Sequence, residues 1–241
     1  MKISIVMAYY NRKSLLLNTL KSISDKNIEI IVVDDASDDN HRLDDVKGIK
    51  LIRVDKDTKK WINPCIPFNM GFKQVTGDVV IIQNPECIHF GNIVQYVKDN
   101  IREGLYLNFA CYSIDEFKTK QINKGKSIGS VISPLIKRGV VRDGETAWYN
   151  HSIYRPHKLH FCSAIMKSDL DKLGGFDERF SLGIGYDDNE FLYRLEKNLV
   201  VDIIDRPFVI HQYHGVTDYS NRDLVLRNKI LYEKLKKNNQ K

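Results

Sequence analysis

The sequence predicts an α/β protein built on a parallel sheet of Rossmann type. Two observations carry this. Four apolar runs, at 3–8, 28–33, 49–54 and 79–82, recur with helical stretches between them, and each run ends in a polar or glycine-containing turn. Strands that alternate with helices build parallel sheets, and continuous apolar runs suit strands covered on both faces. The 241 residues, 42% of them apolar, supply a sizeable core and exclude a disordered or fibrous chain.

The first run is followed by the polar turn Tyr9-Tyr10-Asn11-Arg12 and a helix with Leu15, Leu16, Leu20 and Ile23 on its apolar side. The second run stops at Asp34-Asp35-Ala36-Ser37-Asp38-Asp39. A helix centred on Gly71 precedes the fourth run, which is bounded by Gly77-Asp78 and Asn84-Pro85. Residues 105–112 form a further strand. The span 116–150 is polar and reads as a flexible lid or acceptor loop, because a structureless connection of that length is more often functional than idle. Order returns with a strand over 159–167, a short helix ending at Gly174-Gly175, a helix over 187–197, and strands over 199–204 and 208–211. A basic helix runs over 223–241. The expected halves are 1–112 for nucleotide-sugar binding and 113–241 for acceptor binding and catalysis.

The net charge of +6 comes from 37 basic residues set among 31 acidic ones, so no single-sign block dominates. No aromatic-basic stacking pattern supports a nucleic-acid partner, and the basic tail suits at most peripheral membrane contact. Residues 1–8 are too short for a signal-peptide core, and no run has membrane length. Together with the four widely spaced cysteines, this gives the expectation of a cytoplasmic chain, soluble or peripheral.

Ligands of such sheets bind beyond the carboxyl ends of the strands, which makes the turns after strands one, two and four the site candidates. Tyr10 offers an aromatic face for a base, and Asp35 offers a carboxylate to a uracil imide or ribose. The Asp34-Asp35 turn reads equally well as a cap for the next helix. Glu86, after the fourth strand, is a candidate metal ligand, since a departing diphosphate needs its charge neutralised by a cation on hard oxygen. It also reads as an exposed acid in a turn. Asp187 and Asp188 open a helix, where the helix field favours the anion, so a base placed there stays deprotonated. His211 and His214 end the last strand and could complete a metal site with Glu86; imidazole beside carboxylate suits Mn²⁺ and related ions.

Taken in order, these segments resemble the GT-A glycosyltransferases of family 2, including chondroitin-polymerase-type and galactosyl- and N-acetylgalactosaminyltransferase domains, over roughly residues 3–90 and 159–214. Residues 5–11 look like the opening strand and turn, and Val33-Asp34-Asp35-Ala36-Ser37 like the nucleotide-binding V-D-D-x-S. Phe68-Asn69-Met70-Gly71 is similar to R-N-x-G without its arginine. Asn84-Pro85-Glu86 stands where D-x-D is expected, keeping one acid and losing the other. Gly174 to Glu178 matches G-G-F-D-E, and Asp187-Asp188-Asn189-Glu190 matches E-D-x-E.

The resemblance implies a metal-dependent, inverting transfer of a hexose or N-acetylhexosamine from a UDP-linked donor to a hydroxyl on a glycan, lipid-linked or protein acceptor. It assigns Asp188 as general base and Asp187 and Trp148 to the acceptor. Ala8, Tyr10, Asp35, Asn69 and Asn84 fall to the nucleotide sugar, and Glu86 and His211 to Mn²⁺ or Mg²⁺. The competing expectation is a noncatalytic nucleotide-sugar or glycan binder whose D-x-D has degenerated.

Overall fold

The computed structural model describes residues 1–25, 27–215 and 220–238. In chain order the elements are β1 (Ile3–Tyr9), α1 (Lys13–Ser22), β2 (Glu29–Asp34), β3 (Lys50–Arg53), α2 (Cys65–Phe72), β4 (Val79–Gln83), β5 (Cys87–Phe90), α3 (Ile93–Asn100), β6 (Leu105–Ser113), α4 (Glu116–Asn123), α5 (Ile128–Lys137), β7 (Arg142–Asp143), β8 (Thr146–Asn150), β9 (Cys162–Met166), α6 (Lys167–Leu173), α7 (Asp187–Asn198), β10 (Val200–His211) and α8 (Arg222–Asn238). One sheet has the strand order β3-β2-β1-β4-β9-β6-β10-β5, with β8 on β6 and β7 on β8. The block β3-β2-β1-β4 is parallel throughout, as is the β6–β10 pair, while β9 runs antiparallel between β4 and β6.

Strand order reverses beside β1. The chain steps outward to β2 and β3 and then returns to the other side of β1 as β4, which opens a crevice beyond the carboxyl ends of β1 and β4. The two faces of β1 show why its apolar run is continuous. Ile3, Ile5 and Met7 pack with Leu16, Ile93 and Val97 on one side, whereas Val6 packs with Phe68, Phe72 and Phe191 on the other. A strand buried on both faces is apolar nearly throughout; the exception, Ser4, has its hydroxyl bonded to Glu29 Oε2 and Gly77 N.

Gly71 is set by contact rather than by turn geometry. A Cβ there would lie 2.4 Å from Val6 Cγ1, so α2 can approach β1 only with glycine at this point. Gly71→Ala forces the helix off the sheet, and overpacking of this kind costs about 1–3 kcal/mol. Urea denaturation should show the corresponding fall in midpoint with an unchanged slope; an unaltered midpoint would mean that the contact relaxes freely.

Two expectations need correction. Residues 116–150, read as a flexible loop, contain α4, α5 and the β7–β8 hairpin. Both helices carry ordinary N-terminal caps: the Asp115 side chain accepts from Lys118 N, and the Ser127 side chain accepts from Ser130 N. Ile122, Val131, Ile132 and Leu135 bury themselves against Tyr112, Trp148, Phe208 and Ile210. The two strands expected over 199–204 and 208–211 form one, β10. Its pairing with β6 jumps from Ile204↔Phe109 to Val209↔Cys111, so residues 205–208 stand opposite Ala110 alone, around Pro207, which lacks a ladder donor. The four cysteines are free and buried. Among the described residues no helix is long and apolar enough to cross a membrane. The end of the basic tail, 239–241, lies outside the described residues.

Candidate active site

The crevice beyond β1 and β4 opens into a cleft of about 680 Å³ whose lining includes Arg12, Asn84, Glu86, Tyr149, Asp188 and His211. Its elements come from both halves of the chain.

The turn after β1 is pinned to the loop after β2. Asn11 adopts a left-handed conformation (φ 52°), its backbone N–H donates to Ser37 Oγ at 3.0 Å, and its side chain exchanges hydrogen bonds with Asp38. Asp34 and Asp35 have separate tasks. Asp34 is fully buried and holds the turn together, accepting from Ser37 N at 2.9 Å and Arg53 Nη1 at 2.8 Å. Asp35 faces Lys59 Nζ and Trp61 Nε1, each at 2.8 Å, and burial raises its pKa against the pull of those donors. The Lys59 ammonium also sits 4.5 Å from the centre of the Tyr10 ring, which is exposed. Tyr10, Asp35, Lys59 and Trp61 thus form one patch, with a π-face and a buried carboxylate together; Ala8 is half-buried at the end of β1 beside it.

Glu86 is 2% exposed and its two oxygens face different partners. Oε2 lies 3.0 Å from Arg12 Nη1, while Oε1 lies 3.3 Å from His211 Nε2 and 3.6 Å from His214 Nε2. Burial by itself would raise the Glu86 carboxyl, but the His211 hydrogen bond and the Arg12 charge hold it far below the ordinary carboxylate range. Burial lowers the His214 pKa to about 4, which leaves that ring neutral at pH 7. One atom from each of Glu86, His211 and His214 falls within 4.8 Å of the others. His211 Nδ1 is buried without a hydrogen-bond partner among the described residues. An ionised carboxylate flanked by two imidazoles, that of His214 neutral at pH 7, makes a donor set that fits a divalent cation of the Mn²⁺ type.

Gln212, which sequence reasoning passed over, locks this cluster. Its Nε2 donates to Glu86 O at 2.9 Å and Leu15 O at 3.0 Å, and its Oε1 accepts from Asn18. Asn84 is half-buried in the cleft wall, and its backbone N–H donates to Phe161 O.

The acidic pair at the start of α7 follows Tyr186, whose left-handed conformation (φ 64°) turns the chain into the helix. Asp188 reaches the cleft. Its pKa is raised to about 6 by burial, so desolvation outweighs the helix field that was expected to hold it low. Asp187, expected to contact the acceptor, instead accepts from Asn63 Nδ2 at 2.8 Å and lies outside the cleft lining. Burial and the neighbouring Asp188 charge raise its pKa to about 7. A buried acid at a helix start needs a donor, and Asn63 is in reach. Glu190 is committed to Arg194, with two 2.7 Å bonds, and Arg194 continues to Leu173 O and Gly175 O.

Two more of the expected site residues have partners within the protein. Asn69, expected at the nucleotide sugar, spends its amide on the 174–178 segment: Nδ2 donates to Phe176 O and Glu178 Oε1, and Oδ1 accepts from Phe176 N. Gly175 (φ 73°) is obligatory beside it, since a Cβ would lie 2.4 Å from Asn69 Oδ1. Trp148, expected at the acceptor, is packed in the core with its ring centre 4.8 Å from that of Tyr112 and 5.3 Å from that of Phe208. Strand alternation sends the next residue, Tyr149, to the cleft instead, where its ring lies 5.3 Å from that of His211 and 5.5 Å from the Arg155 guanidinium.

The α/β sheet thus carries the aromatic–carboxylate patch after β1 and β2, the candidate cation site after β4 and the acid of α7 on one chain. The sequence model of glycosyl transferase family 2 matches residues 4–173, and the chain belongs to that family. Similar solved structures are S. aureus TarS (16% identity, TM-score 0.59, covering 88% of this chain and 37% of that one) and S. aureus TarS 1-349 in complex with UDP (16% identity, TM-score 0.59, 88% and 61%). The shared fold is GT-A. This chain spans less than two thirds of the length of either structure. No curated protein matches it.

Proposed function

We propose that this chain is an inverting glycosyltransferase that moves a hexose or N-acetylhexosamine from a UDP-linked donor to a hydroxyl acceptor. The observation that carries the reading is the placement of Asp188 and the Glu86 cluster on the walls of one cleft. Asp188 takes the proton from the acceptor hydroxyl as that oxygen attacks the anomeric carbon, and the bond to the nucleoside diphosphate breaks on the opposite side of the sugar. A carboxyl with a pKa of about 6 is ionised at neutral pH and is a stronger base than an ordinary aspartate. Glu86, His211 and His214 would hold a divalent cation, Mn²⁺ in preference to Mg²⁺ given two imidazoles. Such a cation neutralises charge on the leaving diphosphate. Arg142 and Arg155 also line the cleft and add positive charge there. Residues 1–112 serve mainly the donor, and 113–241 the acceptor, which is a glycan, lipid-linked or protein hydroxyl.

Uridine fits the patch of Tyr10, Asp35, Lys59 and Trp61, with Ala8 and Asn84 along the path to the diphosphate. The UDP complex of TarS, on the same fold, supports this choice of nucleotide. Asp35→Ala removes the carboxylate offered to the uracil imide, and loss of one hydrogen bond to a charged group weakens UDP binding by about tenfold or more. Calorimetry with UDP and GDP tests this; unchanged UDP affinity, or a preference for GDP, would place the base elsewhere.

A second reading draws on the Arg12–Glu86 ion pair, which already neutralises the surviving acid of the D-x-D position. On that reading the chain binds nucleotide sugars without turning them over, and measured transfer separates the two.

A further inference from the structure

The carboxylate in the candidate cation site already has a cation. Arg12 Nη1 stands 3.0 Å from Glu86 Oε2, and among the described residues Glu86 is the one side chain with which the Arg12 guanidinium pairs. The oxygens of Glu86 are divided, Oε1 toward the two imidazoles and Oε2 toward the guanidinium. Asn84 contributes no charge, so Glu86 and Arg12 together sum to zero. A divalent ion entering this site therefore meets a like charge within a few ångströms and a carboxylate that is half engaged.

The mobility of the two partners is unequal. Glu86 is 3% exposed at its side chain, and its backbone oxygen is held by both the backbone and side-chain N–H groups of Gln212. Arg12 is 36% exposed at its side chain. Its backbone leaves a turn pinned by Asn11 to Ser37 and Asp38, so the guanidinium can move while the turn stays. Arg12 lines the cleft together with the Glu86 cluster and Asp188, and it stands two residues after Tyr10 in the turn that follows β1. On the proposed placement of base and sugar, a diphosphate joining a base in the patch to a sugar near Asp188 would come within reach of the Arg12 side chain. Guanidinium is well suited to phosphate oxygens, with parallel N–H donors that match them.

We propose that Arg12 is a displaceable cation that couples metal occupancy to donor binding. With the cleft empty it neutralises Glu86; when a divalent ion takes Glu86, Arg12 is released to the diphosphate of the nucleotide. The proposal rests on the glycosyltransferase reading for the position of the diphosphate. It makes metal and nucleotide each raise the affinity of the other, because coupling between two ligands is reciprocal. The ion pair accounts for a site with one acid that stays charge-balanced without metal, and it gives Arg12 two alternative anionic partners.

The test is Mn²⁺ titration of the full chain, followed by electron paramagnetic resonance of free Mn²⁺, with and without UDP. Wild type, Arg12→Ala, Arg12→Gln and Glu86→Gln are compared, with folding checked by circular dichroism. Removing the like charge should tighten Mn²⁺ binding in the absence of UDP by about tenfold in both Arg12 variants. UDP should then enhance Mn²⁺ affinity less than it does in wild type, and Glu86→Gln should lose the site. If Mn²⁺ affinity is unchanged or weaker in both Arg12 variants while Glu86→Gln still abolishes binding, the coupling is overturned and the metal assignment stands. Mn²⁺ binding that is indifferent to Glu86→Gln overturns both.

Discussion

Asp188→Asn should lower turnover by about 10²–10⁴-fold and leave UDP affinity close to wild type. The substitution keeps the shape and removes the basicity. Asp188 lies on the cleft wall, away from the Tyr10 and Asp35 patch that is assigned to the base, so nucleotide affinity has no reason to change. Asp187→Asn retains an oxygen for Asn63 and should cost far less in kcat. The pH profile follows from the same pair. Asp188 is raised to about 6 and Asp187 to about 7, so the base form is present above this window and is lost as pH falls through it. The acid limb should therefore lie near pH 6–7, with apparent values that belong to the coupled pair rather than to either residue. A limb near pH 4, or near-normal turnover in Asp188→Asn, would remove Asp188 as the base. Glu190 is then a poor successor, because Arg194 already occupies both of its oxygens.

The second large effect concerns the cation. Treatment with EDTA should abolish transfer and Mn²⁺ should restore it. Glu86→Gln should lower Mn²⁺ affinity by more than the roughly 10- to 100-fold typical of losing an outer-shell partner, since a direct ligand is lost. The carboxylate is the anionic member of the three candidate ligands, and His214, with a pKa of about 4, brings no like charge at pH 7. Full activity in chelator would show that the arginines of the cleft carry the diphosphate unaided.

Much of this candidate site is legible in the linear sequence because each group lies at or near the end or start of an element. Glu86 follows β4, Asp188 opens α7, and His211 closes β10; the ends of strands and the starts of helices are where such folds place chemistry. What escaped depends on direction or on distance. Trp148 and Tyr149 are adjacent aromatics, and only the pairing of β8 with β6 decides which one faces the cleft. Asn69 sits in a segment that resembles a nucleotide motif, yet its amide is turned to Phe176, 107 residues away. Arg12 meets Glu86 across 74 residues, a contact that no local pattern reports. Helix α4 was hidden by polar composition and α5 by the Pro134 inside it, although Val131, Ile132 and Leu135 recur at helical spacing and Asp115 and Ser127 stood at the starts as legible caps. For Asp188 the local rule pointed the wrong way, since the helix field was visible in sequence while the burial that overrides it was not.

The most direct measurement is the release of nucleoside diphosphate from a panel of UDP- and GDP-sugars by purified wild-type and Asp188→Asn chains, with and without Mn²⁺. A catalytic Asp188 in a cation-assisted site predicts turnover of at least one UDP-sugar that requires Mn²⁺ and falls by about 10²-fold or more in the variant. Tight binding of a UDP-sugar with no release above background in either chain, with or without metal, would contradict it and leave a nucleotide-sugar binder on a glycosyltransferase fold.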